Sequence, residues 1–301
     1  MKPGTHTEPG FVTRHRFWIM LLSLFLFLPP LSFVFQFTAD SNFCGTWCPR
    51  MFFVWRNGTL AGAYFTGYLR SYMGVILVFG ALISTFFLGR YWCSHICPVG
   101  GTMELGSRLV PRFLKIDFSR IPAPAFRYGY LSVYFLAAAF GIGSLCCSYC
   151  NFATIPRMFG AAFSSADLAY FFRTAGLINL GLVVLLGFLA KGGRGYCNLL
   201  CPIGALDALA NRLGQKVGKR FSVSAEKCNG CGKCKDVCPV WAVRINETAW
   251  IDPLSCMPCG NCLTACSLGA ITYGKGESVR SFEFPARRGP HSSFPFIRVK
   301  R

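Results

Sequence analysis

The sequence predicts an α-helical membrane domain followed by a small, cysteine-rich α+β domain. Three observations predict this fold class. First, 53% of the 301 residues are hydrophobic, 16% are aromatic and only 14% are charged, a balance too apolar for a soluble domain of this size. Second, the apolar residues gather in four runs, 17–37, 73–88, 130–145 and 175–190, each near the length that crosses a bilayer. Third, the 17 cysteines fall in tight groups. Disulfide scaffolds belong to short secreted chains, so this grouping points to metal ligation in a reducing compartment.

Residues 1–16 form a polar, basic N-terminus with Lys2, Arg14, His15 and Arg16. The apolar run that follows is longer than the core of a signal peptide and lacks a small-x-small cleavage site, so it is expected to stay as a first span, kinked at Pro29-Pro30. The other three runs have 16 residues each, about 24 Å of helix against a hydrocarbon core of roughly 30 Å. Tyr91, Trp92, Tyr170 and Phe172 flank them and extend them into the interface.

The net charge of +19 does not require a nucleic-acid partner, because the basic residues lie in loops beside apolar runs and in a tail. Arg90, Arg108, Arg112, Lys115, Arg120 and Arg127 follow the second run; Lys191, Arg194, Arg212, Lys216, Lys219 and Arg220 follow the fourth. The loops after the first and third runs carry far fewer. The positive-inside rule therefore places both termini and the cysteine-rich domain in the cytoplasm. The expected location is a bacterial inner membrane, crossed several times.

The spans divide into two copies of a two-helix unit. Cys44-Gly-Thr-Trp-Cys48-Pro49 follows the first run and Cys93-Ser-His-Ile-Cys97-Pro98 the second; Cys146-Cys147-Ser-Tyr-Cys150 follows the third and Cys197-Asn-Leu-Leu-Cys201-Pro202 the fourth. Pro49-Arg50-Met51-Phe52 recurs as Pro156-Arg157-Met158-Phe159. The predicted organisation is a four-helix transmembrane domain at 17–221, with repeat one at 17–110 and repeat two at 128–213. A ferredoxin-like domain at 222–273 and a basic tail at 274–301 complete it, the latter without a packed core.

The ferredoxin assignment rests on spacing. Cys228, Cys231, Cys234 and Cys238-Pro239, then Cys256, Cys259, Cys262 and Cys266, repeat C-x2-C-x2-C-x3-C. In this pattern three close thiolates hold one 4Fe-4S cluster and the fourth reaches to the other. One cluster is thus assigned to Cys228, Cys231, Cys234 and Cys266, and a second to Cys256, Cys259, Cys262 and Cys238. Zinc sites normally use four cysteines with a longer gap. The repeat brings the C-x3-C pairs together in twos, which predicts two further four-cysteine sites. The inner-face site would be Cys93, Cys97, Cys197 and Cys201; the outer-face site Cys44, Cys48, Cys150 and Cys146, with Cys147 as spare or substitute. Disulfides are the competing account of the outer set. A proline after the second cysteine suits a helix start, where backbone N–H groups face a cluster.

Four spans, the motifs Cys93-x3-Cys97-Pro98 and Cys197-x3-Cys201-Pro202, and the doubled ferredoxin motif together resemble the NapH/MauN family of polyferredoxin membrane proteins, over roughly residues 17–273. Related modules occur in NosR and CcoG proteins. The resemblance implies a membrane electron-transfer subunit linked to quinol. The outer cysteines depart from the family pattern, which has only the two inner motifs.

No C-x2-C-H and no dinucleotide fingerprint occurs, and only His95 of the four histidines lies near a membrane face, so neither haem nor flavin is expected. Electrons are expected to come from menaquinol or ubiquinol and to pass to or from iron-sulfur or cytochrome subunits of a respiratory complex. Glu104, Asp207 and His95 are the candidate proton acceptors near a quinol site, although charges at a membrane edge are more often satisfied by an arginine. Two other function classes use the same cysteines: a CcoG-like copper-handling reductase or assembly factor, and an iron-sulfur redox sensor.

Overall fold

A computed structural model describes residues 14–28, 72–140 and 149–275. The rest of the first and third apolar runs lies outside these residues, as do Cys44, Cys48, Cys146, Cys147, the Pro29-Pro30 pair and the tail. Four helices fall on the predicted runs. Helix α1 (Arg16–Phe27) opens the first, and α2 (Tyr72–Leu88) coincides with the second. After α3 (Pro98–Leu109), α4 (Ala123–Ala139) begins ahead of the third run. Helices α5 (Asn151–Gly160) and α6 (Ser165–Phe171) lead into α7 (Thr174–Val183), which a π turn continues through Phe188 along the fourth. Among the described residues no single helix is long and apolar enough to cross a membrane. Ser165–Phe171 with Thr174–Phe188 reaches that length together, across an 81° bend.

After each of α2 and α7 the chain turns back on itself. A π turn at Trp92–Ile96 leads to Cys97 and α3; the short α8 (Gly195–Leu199) leads to Cys201 and α9 (Pro202–Leu213). Pro98 and Pro202 are the first residues of α3 and α9, with Cys97 and Cys201 at the N-caps. A proline there loses no helical hydrogen bond and presets φ. The returning helices pack reciprocally. Helix α9 of the second copy lies along α2 of the first, whereas α3 of the first lies along the π turn that ends α7 and against α1. The exchange interlocks the two copies. Leu24, Val99, Met103, Ile155, Val183, Leu186 and Tyr196 form one buried core between them.

The C-terminal domain is built from β1 (Lys219–Val223), α10 (Lys233–Asp236), β2 (Val243–Ile245), β3 (Ala249–Ile251), α11 (Asn261–Ala265) and β4 (Ile271–Lys275). Strands β1 and β4 pair antiparallel with Phe221 opposite Tyr273, and β2 and β3 form a second antiparallel pair with Arg244 opposite Trp250. The two short helices match each other: Gly232 and Gly260, both at φ +81°, precede α10 and α11.

This domain is docked on the helices by polar contacts. Tyr273 donates to the Leu88 carbonyl at 2.7 Å, closing the end of α2. Arg220 donates to the carbonyls of Thr85 and Asn211, at 2.9 and 3.1 Å. Asn198 donates to the Val240 carbonyl at 2.9 Å. Gly192 takes φ +88°, and a Cβ there would stand 2.4 Å from the Cα of Pro239. Only glycine lets the loop after the fourth run approach the ferredoxin domain so closely.

Candidate metal centres

The first predicted set is assembled. Cys228, Cys231, Cys234 and Cys266 line one cavity, floored by Val223, Ile245, Ala249 and Ile271. The Ala249 amide donates to Cys228 Sγ at 3.3 Å. In the second set, the Ala242 amide donates to Cys238 Sγ at 3.3 Å. Burial drives the Cys256 thiol well above its ordinary range, and negative charge on Cys262, Cys238 and Cys259 would add to that rise. Cys238 is pushed up to about 11, again by burial first and by Cys259 second. Four sulfurs that repel one another as thiolates in a dry space hold their protons until a cation screens them.

The inner-face set is assembled as well. Cys93, Cys97, Cys197 and Cys201 line a single cavity with Leu77, Val78, Ala81, Val99, Phe152 and Tyr196. The Gly204 amide, in the first turn of α9, donates to Cys201 Sγ at 3.3 Å. Cys93 and Cys197 are both buried. Among the described residues no three Cys, His, Asp or Glu side chains are close enough to share one metal ion; a 4Fe-4S core, whose four irons each take one thiolate, asks for four cysteines around one cavity, and these four line one.

The charges around this cavity fit the same occupant. Arg16, Arg90, Arg127 and Arg194 are buried, whereas Glu104 and Asp207 are the buried carboxylates beside them. The excess of two positive charges is costly in a low-dielectric interior. Four cysteine thiolates on a 4Fe-4S core carry net negative charge and offset it.

The arginines were not singled out by sequence reasoning, yet their arrangement repeats. Arg90 stands three residues before Cys93, and Arg194 three before Cys197. Arg90 Nε donates to Asp207 Oδ2 at 3.0 Å, across to the other copy. Arg194 Nε donates to Glu104 Oε2 at 2.8 Å, in the opposite sense. Arg194 also donates to the Cys93 carbonyl at 2.6 Å, and Arg90 to the Gly204 carbonyl at 3.0 Å. A Cβ on Gly100 would fall 1.9 Å from Arg194 Nη1, so the helix start must be bare for the guanidinium to pass. Gly204 holds the matching position beside Arg90. The readable signal was Arg-x-Trp/Tyr-Cys-x3-Cys-Pro-Val/Ile-Gly, present as residues 90–100 and 194–204.

Two of the expected proton acceptors therefore sit in ion pairs. Glu104 bonds Arg194 and Arg16, and Arg108 from one turn away. Asp207 also accepts from the Thr85 hydroxyl. His95 is buried and stacked on Tyr91, with Nδ1 beside the Ser94 hydroxyl and no partner at Nε2.

Cysteines of the ferredoxin and inner-face sets pack on common residues. Cys93 and Cys197 share a buried cluster with Val240, Ala242 and Met257, against which Cys238 and Cys256 pack. Of the outer-face set only Cys150 is described. It caps α5, and Phe152, two residues on, lines the Cys93–Cys201 cavity.

Comparison with known proteins matches this layout. A 4Fe-4S binding domain family matches twice, at 71–117 and 172–220, once over each returning cysteine motif. A 4Fe-4S dicluster domain family matches 220–267. The ferredoxin-type protein NapH of Escherichia coli is 28% identical over 190 residues, 61% of each chain. NapH of Haemophilus influenzae is 27% identical over 202 residues, 64% of this chain and 63% of its own. The methylamine utilization ferredoxin-type protein MauN of Methylobacillus flagellatus is 27% identical over 179 residues, 56% of this chain and 57% of its own. The chain thus spans less than two thirds of the length of each of these relatives. No solved structure matches it. With two four-cysteine sets each lining one cavity and both 4Fe-4S family models matched, the chain carries 4Fe-4S binding and dicluster domains and is similar to the NapH and MauN ferredoxin-type proteins.

Proposed function

We propose that this chain is a membrane-integral electron-transfer subunit that takes electrons from quinol and passes them through a series of 4Fe-4S clusters to a respiratory partner. The observation that carries the reading is the shared packing of Cys93 and Cys197 with Cys238 and Cys256. Packing on the same buried residues supports transfer between the two proposed sites without a diffusing carrier.

Two further features support placement in a bilayer. The outward faces of α1, α2, α4 and α7 expose large apolar side chains at helical spacing, among them Trp18, Leu22 and Phe25, Ile76, Phe79 and Ile83, and Val133, Leu136 and Phe140. Such area is rare in water and ordinary in lipid. The inner cavity reaches the level of Leu77 to Ala81 on α2, roughly 10–17 Å along the helix from Leu88. The cysteine loops thus return into the depth of the apolar layer, which shortens the gap that a 30 Å core would impose between the two faces. The same helix ends carry Arg108, Arg112, Arg212 and Lys216, which favours a cytoplasmic ferredoxin domain.

In this reading the chain's own residues do three things. The arginines and backbone amides stabilise negative charge on the cysteine sites, the apolar walls exclude water, and the ferredoxin domain offers Cys231, its exposed ligand, toward a partner. Of the candidate proton acceptors Glu104, Asp207 and His95, the first two are held in arginine pairs and His95 keeps Nε2 open, which favours His95. The test is addition of menaquinol to the anaerobic protein in lipid nanodiscs, followed through the visible absorbance of the clusters. Bleaching of most of the absorbance within seconds is expected. Failure of quinol to reduce any cluster that dithionite reduces would reject the quinol link; about eight irons with bound copper would favour metal handling instead.

A further inference from the structure

We infer that the two cross-repeat ion pairs, Arg90–Asp207 and Arg194–Glu104, set the reduction potential of the inner four-cysteine site and of the adjoining Cys256 site. The inference rests on the proposed cluster at Cys93, Cys97, Cys197 and Cys201, and deepens it by naming the residues that tune it.

The geometry is specific. Arg90 is wholly buried and reaches both sites at once. Its guanidinium donates to the Gly204 carbonyl, three residues after Cys201, and lies against the carbonyls of Leu254 and Ser255, which immediately precede Cys256. Arg194, 1% exposed, donates to the carbonyls of Cys93 and Ser94. Each carboxylate partner sits on the helix that starts from the other copy's cysteine motif. Neither arginine is exposed to screening water, so the charge acts at low effective dielectric.

One-electron reduction of a cluster adds one negative charge and, with these sulfurs buried, no proton. A fixed guanidinium beside the ligands favours the reduced form and raises the potential; the carboxylate paired with it opposes the effect. The pair therefore holds the site between two limits. Its symmetry gives both halves of the cavity the same charge arrangement. Arg90, common to the two sites, ties their potentials together and keeps the step between them small.

The test is a redox titration, monitored by EPR, of the full-length protein in detergent, with iron determined on every sample. Arg90→Gln is expected to shift the oxidised-to-reduced ratio of the Cys256 cluster about tenfold toward the oxidised form, ~59 mV down for one electron. Asp207→Asn is expected to move it about as far upward. Arg90→Lys keeps the charge and holds the wild-type potential, and the Arg90→Gln/Asp207→Asn double variant returns near it. A purely structural pair would not give shifts of opposite sign. If Arg90→Gln loses iron, Asp207→Asn and Glu104→Gln carry the test, and both must shift upward. Shifts of one sign throughout, or none in iron-replete protein, overturn the inference. The Cys256 cluster reports the shift whether or not the inner site holds iron, and the wild-type iron count separately decides the reading beneath it.

Discussion

Glu104→Leu is expected to destabilise the protein by about 3–5 kcal/mol, the cost of removing one partner from a buried ion pair. Glu104 is met by Arg16, Arg194 and Arg108, of which the first two are buried. Leucine fills similar space but leaves two guanidinium groups dry and uncompensated. Those groups also hold the carbonyls of Cys93 and Ser94, so the cavity should open and bound iron should be lost. Urea unfolding in detergent, read by circular dichroism, checks the loss of stability. Retention of full stability in Glu104→Leu would contradict the assignment.

Arg127→Met is expected to loosen the ferredoxin domain without dismantling it. Arg127 is fully buried and donates to the carbonyl and the side-chain oxygen of Asn198 and, at 2.6 Å, to the Leu254 carbonyl. It thereby joins α4, α8 and the loop before Cys256. Each acceptor left dry costs about 1–3 kcal/mol, while the core around Phe221, Val243 and Ile271 lies apart from the change. The segment between α9 and β1 should become protease-sensitive, and electron exchange between the two cysteine regions should slow at least tenfold with ferredoxin iron retained. Unchanged protease resistance and exchange rate would refute a docking role.

Much of the architecture was legible because cysteine spacing is stringent. C-x2-C-x2-C-x3-C written twice assigned eight ligands, and the structure rings Cys228, Cys231, Cys234 and Cys266 around one cavity. The repeat logic paired Cys93 and Cys97 with Cys197 and Cys201, which line another. Hydropathy located helices along the apolar runs, but a window average carries no sign that a chain has turned back. The depth of Cys97 and Cys201 beside Val78 and Ala81 therefore came only with the fold. The arginines were misjudged for a physical reason. Counted as loop charges, Arg90, Arg127, Arg194 and Arg220 looked solvated; in the fold they are buried on backbone carbonyls and two carboxylates. For Glu104 and Asp207 the sequence already favoured a neighbouring arginine over a free base, and the fold supplies which ones, Arg194 and Arg90. Cys150 beside Phe152 is the described member of the outer set, whose other cysteines lie outside the described residues.

Anaerobic iron quantification with EPR on the wild type, Cys93→Ser and Cys197→Ser tests the central claim most directly. A cluster at the inner site predicts about twelve irons or more in the wild type, a loss of about four in either variant, and intact ferredoxin signals. About eight irons in all three proteins, with identical spectra, would contradict it.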